Sequence, residues 1–413
     1  MNVENGKRAG GKAAPRPRSE RQASGVAALD TSDVDRWIGV PLGGAYLKDE
    51  VHVNDVRRWA QGMQNPNPLH WDDAWAARSR FGRIVAPQSF AVCTDDSHGA
   101  APAIQGNIPG THMIFGGDEW WFFGPRIWPG DCLRQDRMLF DYKVAETKFA
   151  GPTMFSRGDT TYINQHGAVV CKQRSTSVRY RANEARERGL FMQDREPVWS
   201  DEQLAGIEKQ KFEYHQSIHD LGHDRRLFVK LGDRLPPRPI GPHTIASFTT
   251  EWRSFLMSVW GAFRSSGGPT SLWNAGWLPE MDRDHEGAKL DPALADGLYK
   301  GPSRGHVQER FAQLVGMPRG YGYGASMGAW VLDTLAGWAG EWGEIVHSDM
   351  QYRSPALTGD VTYLNAEVVE LEPERTTDQP LATLRVVMTN QRDEVMASGR
   401  AEVRLPTERL PAS

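Results

Sequence analysis

The sequence predicts an α+β fold built from two copies of one unit. Two observations carry this expectation: similar motifs recur in the same order in the two halves, and each half reads as helices followed by a run of strand-like segments. With 413 residues and a hydrophobic content of 39%, the chain is long enough for two domains with a core. We therefore expect a tandem duplication in which both copies share one architecture.

The two histidine-containing loops align without a gap. The first loop reads "NPNPLHWDD" from residue 65 and carries His70, and the second carries His306 in "GPSRGHVQER". Asn-Pro pairs disfavour helix at the residue before each proline, so the first segment is predicted to be a loop. Helical spacing follows both histidines, with Asp73 and Glu309 in the first turn, where an acidic side chain suits the helix dipole.

Two further motifs repeat in the same order. "FFGPRIWPGD" at 122–131 is echoed by "YRSPALTGD" at 352–360, each with an aromatic residue, a proline and a Gly-Asp turn before a strand. "TYINQHGAVVCK" is then echoed by "VMTNQRDEVMAS", where Asn164 and Asn390 fall at equivalent turns between alternating segments. Several weak echoes in one order favour duplication more strongly than any single echo would.

The pattern divides the chain into four parts. The link between the copies is charged and helical in pattern, and it is predicted to lie across the surface. The N-terminus has few residues that could be buried, which predicts a flexible tail. The expected parts are a basic tail at 1–30, a first copy at 31–183, a helical linker at 184–225 and a second copy at 226–408.

Composition excludes several classes of function. A net charge of -4 and a pI near 6.3 do not favour nucleic acid as a partner. No apolar run approaches the roughly 18 residues of a membrane span, and the N-terminus does not resemble a secretory signal. Cys93, Cys132 and Cys171 show no CxxC or metal-type spacing, so we expect a reducing compartment and a cytoplasmic protein. The oligomeric state stays open, and a homodimer is compatible with the sequence.

Taken together, these motifs resemble those of the MaoC-like acyl dehydratases, also called R-specific enoyl-CoA hydratases. The likeness lies in the loop from Asn65 to Asp72, in "RSRFGRIVAPQSF", in "GGDEWWFFGPRIWPGD" and in "GHVQERFAQLVGMPRGYGYG". It implies a tandem double hotdog, in which each copy is a curved antiparallel sheet around a central helix. The two copies would form a pseudo-dimer that admits an acyl-CoA thioester at the seam, without a metal or another cofactor.

The resemblance also implies roles for residues of the first copy. His70 would be the acid–base group, and the backbone N–H of Gln88 would stabilise the oxyanion at the start of the central helix. Asn65 stands where the family has an aspartate, and an amide cannot titrate, so it would orient water or the loop together with Asn67. Asp72 is a candidate assistant in proton transfer.

In the second copy, His306 takes the histidine position and Gly324 the position of the oxyanion glycine. Gly301 replaces the family's acid there, and Ser303 replaces the asparagine, so a structural role for His306 is the alternative. The residues expected to contact substrate are Asn67, Asp72, Gln88, His306 and Gly324.

The function implied is that of a hydratase or dehydratase, a hydro-lyase of lipid metabolism acting at the α,β double bond of an acyl-CoA. One alternative is a non-catalytic subunit that binds acyl thioesters, because Asn65 and Gly301 both lack the acid. The other is a hotdog thioesterase, which needs a carboxylate near the start of the central helix, whereas Asp95 and Asp96 come late in that segment.

Three histidines in the predicted linker are spaced four residues apart. His215, His219 and His223 would share one helix face, and such spacing can hold a metal when a third ligand converges. Gly222 indicates that the helix ends there, so a solvated helix face is the preferred interpretation.

Overall fold

The computed structural model describes residues 28–43, 50–95, 97, 99–255, 304–374 and 379–407. The helices in these ranges are α1 (Ser32–Asp35), α2 (Val53–Gly62), α3 (Asp73–Arg78), α4 (Ala182–Arg188), α5 (Asp201–Leu221), α6 (Ile245–Ser254), α7 (Arg304–Val307), α8 (Glu309–Leu314) and α9 (Gly324–Ala339). Short 3-10 helices cover Pro68–His70, Gln88–Thr94 and Ala101–Ile104. The strands are β1 (Pro41–Leu42), β2 (Thr111–Phe122), β3 (Leu133–Thr147), β4 (Gly151–Asn164), β5 (Val169–Arg181), β6 (Arg238–Ile240), β7 (Glu344–Tyr352), β8 (Thr362–Pro373), β9 (Pro380–Asn390) and β10 (Val395–Arg404).

These strands form one antiparallel sheet in the order β1-β3-β4-β5-β2-β7-β10-β9-β8-β6. The order is symmetric about its centre, because every strand of the first half has a counterpart at the mirrored place in the second half. The halves meet where β2 and β7 pair, with a register that runs from Gly117 opposite Gln351 to Trp121 opposite His347. The predicted tandem hotdog fold is confirmed.

Burial along the strands follows their alternation. In β9, Leu384, Val386 and Met388 are buried, whereas Arg385 between them is exposed. Successive side chains of a strand point to opposite faces, so one face of the sheet covers the core and the other faces solvent. The core side of both halves packs into one hydrophobic cluster that includes α9.

The central helix of the second copy is α9, and it is buried on nearly every side. Its small residues allow the sheet to come close: a Cβ at Gly324 would collide with Phe115, and a Cβ at Gly328 would collide with the Asp118 carboxylate. Both of those neighbours lie on β2 of the first copy. The helix of one copy therefore packs directly against the seam.

The first copy lacks the long central helix that the sequence predicts for each copy. Its segment equivalent to α9 forms only the 3-10 helix Gln88–Thr94. The Asp95 side chain ends it by accepting hydrogen bonds from the backbone N–H groups of Ser97 (2.8 Å) and Gly99 (3.1 Å). Aspartate competes with helix in this way by binding nearby backbone donors. Gly99, with φ +77°, then completes the turn.

The linker segment contains α5, which does more than lie on the surface. Tyr214 and Ile218 are buried and would contact a Cβ placed at Gly337 of α9. The segment thus packs onto the end of the central helix. The exact boundaries of the four parts stay a prediction, and most of the tail lies outside the described residues.

A carboxyl group is buried between α6 and the first turn of α9. Glu251 has no exposed surface and interacts with Ser326, two residues after the helix begins. Burial raises the pKa of Glu251 to about 8 from its ordinary value of 4.5. The group is therefore protonated in the folded protein at neutral pH.

This burial predicts a pH-dependent stability that Glu251→Gln removes. The unfolded chain releases the proton near pH 4.5 and the folded chain near pH 8, so the native protein loses stability as pH rises between these values. We expect Glu251→Gln to stabilise the protein above pH 8, on the order of 1–3 kcal/mol, and to leave it near wild type below pH 4.5.

Urea denaturation from pH 4.5 to 8.5 measures this difference. Glu202→Gln, at an exposed site on α5, is the matched control and should show no such trend. A stability difference between Glu251→Gln and wild type that stays constant over the whole range would contradict the buried titration.

Candidate functional site at the seam of the two copies

A buried arginine of the second copy, Arg238, anchors the start of the first histidine loop (residues 65–73). Arg238 on β6 donates to the carbonyls of Met63 (2.9 Å) and Gln64 (2.8 Å), which end α2 and open the loop. The same guanidinium donates to the Trp330 carbonyl of α9 at 3.1 Å. The loop is therefore fixed to the central helix of the other copy before its first asparagine.

Two asparagines then shape the loop. The Asn65 side-chain oxygen accepts a hydrogen bond from the Asn67 backbone N–H (3.0 Å), and the Asn67 side-chain oxygen accepts one from the Leu69 N–H (3.1 Å). Both residues are buried. Such side-chain-to-backbone bonds two residues ahead hold a turn in place of a backbone partner.

His70 ends the 3-10 helix Pro68–His70 and is only 2% exposed. Its Nδ1 lies 2.7 Å from the Val85 carbonyl, which can only accept, so Nδ1 carries the proton. Nε2 then presents its lone pair, and no described residue hydrogen-bonds to it. The ring is held in the tautomer that accepts a proton at Nε2.

The electrostatic surroundings keep this ring neutral. Burial is the main cause that lowers the pKa of His70 to about 3, and the positive charge of Arg126 adds to it, while the bond to Val85 acts in the opposite direction. At neutral pH the imidazole is thus uncharged and can accept a proton, although it is a weak base.

The second copy repeats the histidine anchor. Nδ1 of His306 lies 2.5 Å from the Tyr321 carbonyl, fifteen residues downstream, as Val85 lies downstream of His70. The His306 ring is half-buried and stacks on Tyr323 at a centroid distance of 3.9 Å. Gly301 and Ser303 lie outside the described residues. The shared anchor supports the gap-free alignment of the two loops.

The two positions aligned at the start of the central helix are used differently. Gln88 is clamped by its side chain, which donates to the Ile345 carbonyl and accepts from the Ile345 N–H, both at 2.9 Å. Its own backbone N–H has no acceptor within the part of the chain that the structure describes. Gly324 begins α9 against Phe115, and Tyr321 nearby reaches His112 of β2 at 3.5 Å.

The remaining candidate carboxylates are engaged in local structure. Asp72 caps α3 by accepting a hydrogen bond from the Trp75 N–H at 2.9 Å. Asp95 is occupied by the turn described above, and Asp96 lies outside the described residues. The candidate site around His70 therefore contains no loop carboxylate directed at the ring.

The comparisons with known proteins agree with this architecture. Residues 36–173 match a family model described as "FAS1-like, dehydratase domain region". A curated protein of Thermomonospora curvata, "Probable enoyl-CoA hydratase alpha subunit", is 24% identical over 159 residues, which are 35% of this chain and 50% of that protein. The chain thus spans about half the length of this relative.

Solved structures extend the likeness to both copies. A MaoC-like dehydratase superposes with a TM-score of 0.58 at 16% identity, covering 90% of this chain and all of the other. The chain has the double hotdog fold. A structure described as a MaoC domain protein dehydratase from Chloroflexus aurantiacus shows the same fold, with a TM-score of 0.51, 12% identity, and coverage of 90% and 96%.

In this double hotdog protein, a carboxylate from the opposite copy takes a place beside Asn65. Asp333 lies in α9, is 2% exposed, and accepts a hydrogen bond from the Ser89 hydroxyl at 2.6 Å. The Asn65 side chain interacts with the same carboxyl and lowers its pKa. Burial nevertheless raises the pKa of Asp333 to about 6. Sequence patterns gave no signal for this contact, because the two residues lie in different copies.

This contact predicts that Asn65→Asp destabilises the fold. The new carboxylate would face Asp333 in a buried setting where Arg238 is the cation that they would share, and a second buried negative charge costs about 3 kcal/mol. We expect a loss of this size at pH 8 by urea denaturation, and recovery of most of it in the double variant Asn65→Asp/Asp333→Asn.

Asn67→Asp is the matched control, because an aspartate there keeps the acceptor for the Leu69 N–H. It should change stability by less than about 1 kcal/mol. Equal losses in Asn65→Asp and in the double variant would show that Asn65 and Asp333 are not coupled.

Two of the three linker histidines are solvated, because His215 and His219 on α5 are exposed, whereas His223 beyond the helix is half-buried. The rings of His219 and His223 contact Trp75, at centroid distances of 5.1 and 4.8 Å, and His223 pairs with Glu341 at 3.0 Å. Among the described residues there is no group of three histidine, cysteine or acidic side chains suited to a metal. In the same ranges, no helix has the length and apolar character needed to cross a bilayer.

Proposed function

We propose that this protein adds water to, or removes it from, the α,β double bond of an acyl-CoA thioester, with His70 as the acid–base group. The observation that carries the proposal is the His70 ring, fixed by the Val85 carbonyl so that Nε2 is the proton acceptor. The region that matches the dehydratase family model contains this loop. The curated relative is named as an enoyl-CoA hydratase subunit, which supports the same chemistry.

In the hydration direction, Nε2 of His70 takes a proton from a water molecule whose oxygen attacks the β-carbon. The electron pair of the double bond moves to the thioester oxygen, and the backbone N–H of Gln88 stabilises the resulting enolate. The enolate then collapses as the α-carbon receives the proton from the imidazolium. Dehydration runs through the same steps in reverse. Asn65 and Asn67 hold the loop that carries the ring.

The first copy is favoured over the second by its surroundings. His70 lies beside a cation that can attract an anionic substrate group, whereas His306 stacks directly on Tyr323. The second copy instead supplies the scaffold: α9 presents Asp333 to the first loop, and β7 holds Gln88. We infer that the second copy supports the site rather than catalysing.

A subunit that binds acyl thioesters without turnover is the second candidate. The low pKa of His70 and the engagement of Asn65 with Asp333 favour it, because both reduce the capacity for proton transfer. A reducing, cytoplasmic setting suits either candidate, since the three cysteines of the sequence show no CxxC or metal-type spacing.

The two histidines allow a matched test of the proposal. His70→Gln should lower kcat/KM for hydration of enoyl-CoA substrates by about 10²–10⁴-fold, the usual contribution of a general acid–base group. His306→Gln should lower it by less than about tenfold. Hydration removes the conjugated double bond of the thioester, so the fall in its absorbance with time gives kcat/KM for both variants.

Four results would contradict the proposal. Full turnover by His70→Gln would remove this ring from the mechanism, and a selective loss in His306→Gln would move catalysis to the second copy. Wild-type protein that binds acyl-CoA but turns over no enoyl-CoA would favour the binding subunit. Release of free thiol by wild type would identify a thioesterase.

A further inference from the structure

Arg126 is a cation without an ion-pair partner near the proposed catalytic ring. It follows β2, and its guanidinium donates to the Ala86 carbonyl at 2.9 Å and lies 5.5 Å from the centre of the Phe81 ring. Within the described ranges, no carboxylate comes within ion-pair distance of it. Arg126 is half-buried, and burial lowers its pKa to about 10, so it is partly desolvated yet still charged at neutral pH. A desolvated charge is costly unless a counter-charge compensates it.

The nearest acidic side chain is already shared by other arginines. Glu344 at the start of β7 attracts Arg126, but it pairs with Arg80 at 3.0 Å and with Arg404 at 3.2 Å. Arg80 in turn repels Arg126. Glu344 is therefore engaged elsewhere, and Arg126 has no carboxylate of its own among the described residues.

This cation acts on the catalytic ring. Arg126 binds the Ala86 carbonyl and His70 binds the preceding carbonyl, of Val85. The charge of Arg126 is close enough to lower the pKa of His70. An anion bound to Arg126 would offset this effect and make the imidazole a stronger base, closer to the range in which proton transfer is efficient.

The described part of the second copy lacks this feature. The Ala86 N–H donates to Ile127, and the aligned Gly322 N–H donates to Ala356, both across the same turn. Ile127 and Ala356 are thus equivalent, which places Pro355 at the position of Arg126. The second site has no cation there, so the arginine is not a requirement of the hotdog scaffold.

Resting on the proposed function, we propose that Arg126 binds a carboxylate carried by the acyl group, so that the substrates are enoyl thioesters of dicarboxylic acids. A planar guanidinium matches a carboxylate through two parallel hydrogen bonds, and Arg126 has donors left over after its bond to Ala86. Its proximity to His70 places the carboxylate at the acyl end, near the double bond that reacts.

The test compares two substrates of equal chain length, crotonyl-CoA and the monothioester fumaryl-CoA. Wild type should show kcat/KM at least about 100-fold higher for fumaryl-CoA, the size expected for a desolvated charge-assisted pair. In Arg126→Gln, kcat/KM should fall for fumaryl-CoA and stay unchanged for crotonyl-CoA, so that the preference is lost. Arg126→Lys should retain part of the preference. Arg83→Gln, an exposed arginine stacked on Trp128, should behave as wild type.

Two outcomes overturn the proposal directly. The first is a wild type without preference for fumaryl-CoA. The second is an equal loss on both substrates in Arg126→Gln. In that case crotonyl-pantetheine, which lacks the nucleotide phosphates, separates the explanations: unchanged turnover of this substrate assigns Arg126 to a phosphate, and a loss there assigns it to the fold.

Binding of saturated analogues separates this inference from the proposed function. Succinyl-CoA and butyryl-CoA have no double bond to hydrate, so calorimetry measures their affinity whether or not the protein is a hydratase. Wild type should bind succinyl-CoA more than tenfold more tightly than butyryl-CoA. Arg126→Gln should bind the two analogues with equal affinity. Equal affinities in wild type would overturn the carboxylate site, even if His70→Gln abolishes hydration of crotonyl-CoA.

Discussion

The pairing of β2 with β7 is the interaction on which the rest of the structure depends. It joins two five-stranded sheets into one through backbone hydrogen bonds from Gly117 to Trp121, so neither copy has an unpaired edge at the seam. The pairing also sets the position of α9 over β2, where Gly324 and Gly328 leave no room for a side chain. Each copy is therefore completed by the other.

Duplication has allowed the two copies to specialise. The first copy has shortened its central helix to seven residues and kept the asparagine-proline loop, whereas the second kept a sixteen-residue helix. The retained helix supports the loop of the other copy through Asp333 and through the carbonyl that Arg238 binds. In a symmetric dimer, any change in the helix would alter both sites at once. A single chain with two copies is free of this constraint.

Charge around the proposed site follows the same asymmetry. The loop of the first copy carries an amide, Asn65, that cannot titrate, while a carboxyl with a raised pKa, Asp333, lies on the opposite helix. A cation, Arg126, lies near the His70 ring of the first copy, and a proline takes its place in the second. The proposed proton transfer at His70 would thus depend on what binds nearby, because burial and the charge of Arg126 disfavour the imidazolium.

The sequence by itself determined the two-copy organisation, the alignment of His70 with His306 and the presence of an amide that cannot titrate at Asn65. Local patterns carry these features, since turn residues, alternation and motif order act over a few residues. Only the tertiary structure decided that the first copy ends its helix at the Asp95 turn, that Asp333 reaches Asn65 and that Arg126 stands beside His70. Each of these depends on contacts or desolvation set by distant parts of the chain, which no local pattern reports.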